Sequence, residues 1–202
     1  MSKEEEDKIV DNLLNAINNI LDINESWYDF IFVITKGQEV EDFNMPNGFG
    51  MLGDGKSKIF VDGQLWDDYE NATDKNKKRR KYAKMVGIIA HELMHIRQFK
   101  YSSDKYMKDF HYELKLPNNT DKWTVSQRKK YDNLAVELEA FAFGKLVEST
   151  ISQSKRISPL PTFTNRYQFK KIYLQMKDKY EKKIIEAFAN CSKVTQSCSF
   201  NV

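Results

Sequence analysis

The chain has 202 residues, 41% of them apolar and 30% charged, with a formal net charge of +3. That length and balance suit one folded domain, and the small, interspersed charge excludes the strong positive field of a dedicated nucleic-acid binder. No apolar run approaches the ~20 residues of a membrane-spanning helix; the acidic start Met1-Ser2-Lys3-Glu4-Glu5-Glu6 has no apolar signal stretch, which predicts a cytoplasmic protein.

Ile9, Leu13, Ile17, Ile20 and Leu21 recur at helical spacing and predict an amphipathic helix over residues 3–22. Residues 27–35 (WYDFIFVIT) are rich in β-branched and aromatic side chains and predict a strand. The glycine-rich stretch 44–57 predicts turns with short strand pieces, and residues 58–61 (KIFV) predict a further strand ended by Asp62-Gly63. Thr73 or Asp74 then caps a long helix reaching about residue 101. Thr124 and Gln127 have capping-box spacing and open a helix to about residue 149. Pro159 and Pro161 break the chain before a last helix over about residues 166–190. Strands come early and helices dominate afterward. The class is α+β, a small twisted sheet packed on long helices in a single domain, with a helical C-terminal extension from about residue 160. Cys191 and Cys198 have neither zinc-knuckle nor disulfide-framework spacing and read as free thiols in a reducing compartment. The basic run at residues 75–81 (KNKKRRK) reads as a solvated face, so nucleic acid is not expected as a partner.

One motif carries chemistry. His91-Glu92-Leu93-Met94-His95 has the form H-E-x-x-H within the long helix, and it uses two of the three histidines. Residues four apart share a helix face, so both imidazoles can meet one metal ion, with Glu92 beside them. A catalytic zinc takes three protein ligands and keeps a position for water. Gln98 and Tyr101 stand where an extended motif would place glycine and a third histidine, so the third ligand must come from elsewhere; the other common arrangement takes a glutamate from a later helix. The segment 136–143 (VELEAFAF) offers Glu137 and Glu139. At helical spacing Glu139 has Ala135, Val136, Ala142 and Phe143 as neighbours, all apolar, where a bare carboxylate is costly. Glu137 has the more mixed neighbours Asn133, Leu134, Ala140 and Phe141. Glu139 is therefore the expected ligand, and Glu137 a solvated acid or one supporting the site.

On these residues the chain resembles zincin metallopeptidases of the gluzincin type, with His91-Glu-Leu-Met-His95 on the active-site helix and Glu139-Ala140 downstream. HELMHIRQ is also similar to small bacterial and phage zincins that read H-E-L-x-H-x-x-Q. The resemblance covers residues of about 85–98 and 135–144. It implies a zincin-like fold and one Zn2+ per chain held by His91, His95 and Glu139. It further implies hydrolysis of a polypeptide substrate by a metal-bound water, with Glu92 as general base. The sheet edge near residues 48–53 would pair with the substrate. His111, Tyr112 and Tyr131 are candidates to meet the oxyanion. Phe141 and Phe143 stand where many relatives carry an aspartate that orients a ligand histidine. Asp132, Glu137 or a backbone carbonyl must then take that role. The alternative function is a non-catalytic zincin-like binding or structural module, such as a virion-associated component of a phage.

Overall fold

The computed structural model describes residues 3–33, 48–51, 56–113, 115–117, 120–154 and 159–196. The elements in chain order are α1 (Lys3–Leu21), β1 (Tyr28–Val33), β2 (Gly48–Met51), β3 (Ser57–Asp62), α2 (Gly63–Glu70), α3 (Lys75–Glu113), α4 (Val125–Tyr131), α5 (Ala135–Ser152) and α6 (Arg166–Gln196). The molecule is mostly helical with a small sheet, an α+β arrangement.

α1 forms where the apolar spacing places it. Leu13, Ile17, Ile20 and Leu21 are buried, and Glu4, Glu5 and Glu6 complement the positive end of the helix dipole. Asp22 ends the helix in the left-handed region at φ 58°, and Ile23 N closes on Asn18 O at 3.0 Å. Two α3 side chains cap the carbonyls left open: Arg97 donates to Leu21 O at 3.0 Å, and the Tyr101 hydroxyl to Asp22 O at 2.9 Å.

The sheet order is β1-β3-β2, with β1 parallel and β2 antiparallel to β3. Ser57, Ile59 and Val61 of β3 turn inward, and Ile59 and Val61 join the main core with Tyr28 and residues of α1, α2, α3, α5 and α6. β2, the described part of the glycine-rich segment, is an edge strand and touches α3. The remainder of residues 44–55 lies outside the described residues, as does Cys198.

Asp62 ends β3 and also caps α2, a short helix that the sequence pattern does not announce. Asp74 caps α3, its carboxylate accepting from Lys77 N at 2.7 Å. The basic run is partly tied into the fold. Lys81 pairs with Asp68 at 2.5 Å, Lys78 lies 5.1 Å from the Tyr69 ring, and Arg79 donates to Gln153 Oε1 at 3.1 Å. α3 runs beyond the expected end to Glu113, and it bends. Phe99 and Phe110 ring centroids are 5.8 Å apart, whereas the same stretch of straight helix spans about 16 Å. Ser102-Ser103 lies between them, a sequence that tolerates a kink. The bend lets Tyr106 and Phe110 pack with Leu134 and Val136 at the start of α5.

The Thr124–Gln127 capping box forms, but its helix stops at Tyr131 and α5 starts separately. Asp132 and Asn133 explain the break, since both hold the segment before α6. Asp132 Oδ2 accepts from Phe163 N at 3.2 Å; Asn133 donates to Phe163 O at 2.8 Å and accepts from Asn165 N at 2.7 Å.

α3 and α5 cross with their backbones in contact. A Cβ on Gly144 would sit 2.5 Å from Gly87 O, and one on Gly87 would sit 2.8 Å from Gly144 O. Only glycine at both positions allows this approach. α6 closes the core through Tyr180 and Ile184. Among the described residues, no helix is long and apolar enough to cross a membrane.

Candidate metal centre

His91 and His95 lie one turn apart on the stretch of α3 that faces α5, and the glycine crossing sits one turn before them. Their Nε2 atoms are 3.0 Å apart. The Glu137 carboxylate completes a triangle, with Oε1 3.2 Å from His95 Nε2 and Oε2 3.6 Å from His91 Nε2. Ligand atoms about 2.0–2.1 Å from a tetrahedral zinc are separated by about 3.3 Å, so the three spacings match the edges of such a shell. The Glu137 side chain is 2% exposed, and its Oε2 has no hydrogen-bond partner. A buried carboxylate oxygen that faces two imidazoles fits a cation placed among them.

The acid that meets the two imidazoles is Glu137, not the expected Glu139. Glu139 faces another way: its Oε1 pairs with Lys105 at 2.8 Å, and its Oε2 accepts from the Tyr106 hydroxyl. Its charge is neutralised there, which removes the argument that it needs a metal. The bend in α3 carries Lys105 and Tyr106 to it.

His91, Glu92 and His95 could also hold a metal ion as a group, their ligand atoms lying within 4.8 Å of one another. That span is wider than the ~3.3 Å edge of a tetrahedral shell. Glu137 is the better-placed third ligand, and Glu92 stays beside the pair. Burial raises the Glu92 carboxyl to about 7, with His95 opposing and Glu137 adding to the rise. A carboxyl titrating near neutrality can both take and return a proton.

The other charges follow from the same crowding. Burial and the neighbouring His95 push His91 down to about 3, so it is neutral. Burial also opposes charge on His95, but Glu137 more than offsets it and raises that ring to about 10. Burial works against Glu137 too, yet His95 and the Tyr131 hydroxyl hold its carboxyl below the usual range. Glu113, at the end of α3, was not singled out by the sequence. Burial and Glu137 push its carboxyl to about 8, and its Oε1 has no hydrogen-bond partner.

The orienting contacts depart from expectation. Asp132 bonds to the Phe163 backbone rather than to a histidine. The Tyr131 hydroxyl donates to Glu137 Oε1 at 2.7 Å, so it fixes the carboxylate instead of standing free for an oxyanion. His111 is exposed on the last turn of α3, and Tyr112 packs under the Lys130 ammonium at 3.7 Å. His91 bonds to the backbone of Ala140, matching the carbonyl alternative, and the Phe141 ring lies 4.6 Å from its ring. His95 uses Gln98: Nδ1 and Oε1 are 3.0 Å apart. Gln98 is 1% exposed, and its amide nitrogen donates to Val136 O at 3.0 Å.

Comparison with protein-family models, curated proteins and solved structures finds no match to this chain.

Proposed function

We propose that the chain is a zinc metallopeptidase of the zincin type, with one Zn2+ held by His91, His95 and Glu137 and with Glu92 as general base. The convergence of two Nε2 atoms and an open, buried Glu137 oxygen within 3.0–3.6 Å of one another carries this reading. Two imidazoles and a carboxylate are a donor set suited to zinc. Zinc bound there would supply Lewis acidity, polarising a peptide carbonyl and acidifying a water.

The protein's own groups do the rest. Glu92 takes a proton from the attacking water and returns it to the amine that leaves. Tyr131 and Gln98 hold Glu137 and His95 in place. Phe141 forms an apolar wall against His91. β2 is one of the two edge strands of the described sheet and touches α3, and an extended polypeptide substrate would pair along it.

The test is cleavage of an unfolded polypeptide by the zinc-loaded parent and by Glu92→Gln. A general base contributes about 100- to 10,000-fold, so the variant should bind zinc and lose at least about 100-fold in rate. Equal cleavage by both proteins rejects Glu92 as the base. Zinc binding without cleavage of any peptide supports the non-catalytic module instead.

A further inference from the structure

Gln98 occupies a position where the chemistry of its neighbours leaves little freedom. A side-chain amide has one end that donates and one that only accepts. The backbone carbonyl of Val136 can only accept, so the Gln98 NH2 group must face it, at 3.0 Å. That turns the amide oxygen toward His95 Nδ1, also at 3.0 Å. An oxygen that only accepts requires a proton on Nδ1, which leaves Nε2, facing His91 and Glu137, as the nitrogen that gives up its proton when a cation binds.

The same residue acts on the second ligand. Val136 immediately precedes Glu137, and α3 holds both of its backbone polar groups. Gln98 donates to its carbonyl, and Asp109 accepts from its N–H at 3.2 Å. Leu134, the cap of α5, offers no side-chain bond, so Asp109 supplies from another helix what the cap lacks. Val136 is fully buried between the two contacts. The first turn of α5, which carries Glu137, is thus held at a fixed height against His95.

We infer that Gln98 is a positioning residue that couples the two ligands, passing the fixed orientation of the Val136 carbonyl through its amide to the tautomer of His95. This role rests on the metal-site reading, although its hydrogen bonds exist without metal. Glutamate would be a poor substitute. Its carboxylate could accept from Nδ1, but it could not donate to Val136 O, and it would add charge beside Glu92, Glu137 and Glu113. Methionine has a similar shape and makes neither bond.

The test uses the full chain, metal-free and with one equivalent of zinc. NMR of the 15N-labelled histidine rings reads the Nδ1 proton of His95, and competition with a chelating dye reads zinc affinity. The parent should show a solvent-protected Nδ1 proton with or without zinc. Gln98→Met should lose that protection and bind zinc about 10- to 100-fold more weakly, the usual effect of removing a partner of a ligand. Gln98→Glu should keep the protected proton yet still bind zinc more weakly than the parent, because the Val136 bond is gone. A parent without a protected Nδ1 proton, or a Gln98→Met protein that keeps it, overturns the relay. So does unchanged zinc affinity in both variants. A parent with the protected proton but no zinc binding supports the relay and instead sinks the metal reading, so the two failures are distinct.

Discussion

Glu137 and Glu139 are two positions apart, which turns them about 200° from each other around a helix. Only one can face the histidines. The apolar neighbours of Glu139 made it the better candidate by sequence, but that argument finds a costly carboxylate without finding its partner. Lys105 and Tyr106 fill that role from 34 and 33 residues away, through the bend in α3. Glu137 looked more solvated because Asn133 and Leu134 were counted on its helix face. In fact α5 begins at Ala135, which puts Glu137 in the first turn, where the helix dipole favours a carboxylate.

The charges of the histidine pair lead to a pH prediction. His95 has a folded pKa near 10, above its usual 6.5, so the metal-free protein holds that proton from low pH up to about 10. His91, near 3, holds none at neutral pH. A cation needs the His95 lone pair, so metal uptake must expel the proton. Zinc added near pH 8 in weak buffer should release about one proton per metal bound, read with an indicator dye, and apparent affinity should rise with pH. Zinc binding with no proton release would contradict His95 as a ligand.

Among the elements, the α3–α5 crossing does most to place the site. Gly87 and Gly144 let the backbones touch, and an added Cβ at Gly144 would lie 3.2 Å from His91 Cβ as well as 2.5 Å from Gly87 O. Backbone on both sides cannot give way as a flexible side chain can. Gly144→Ala should therefore destabilise the protein by about 1–3 kcal/mol, as overpacked cores do. For a chain of this size that is a fall of roughly 2–12 °C in melting temperature, measured by circular dichroism on the metal-free protein. An unchanged melting temperature would show that the crossing is looser than the geometry indicates.

Elements that local chemistry specifies were legible in the sequence. α1 follows its apolar period, the Thr124–Gln127 box forms, and Asn165 caps α6 by accepting from Gln168 N at 3.1 Å. Elements that depend on distant partners were not. The last turns of α3 stand because Tyr106 and Phe110 pack on Leu134 and Val136. The gap between α4 and α5 exists because Asp132 and Asn133 bond to residues about thirty positions later. Both are tertiary effects overriding helix propensity.

At the scale of the whole molecule, the same division explains how much of the site could be read in advance. His91, Glu92 and His95 share one helix, so spacing alone brought them together. Glu137 and Gln98 acquire their roles only where two helices meet, and a one-dimensional pattern gives no angle between helices. The sheet, α1 and α6 form the frame. Ile59 and Val61 press on the inner face, and Tyr180 and Ile184 close the far side, with Phe143 and Tyr180 rings 5.2 Å apart. The two imidazoles and the Glu137 carboxylate sit at the seam this frame holds shut. A cation there would tie α3 to α5 at the point where their register matters most.

The most direct measurement is zinc content and affinity in the parent, Glu137→Ala and Glu139→Ala, by elemental analysis after dialysis and by chelator competition. The parent and Glu139→Ala should each retain one zinc per chain, and Glu137→Ala should bind it at least about 10-fold more weakly. Full retention by Glu137→Ala, or loss confined to Glu139→Ala, would contradict a centre built on His91, His95 and Glu137.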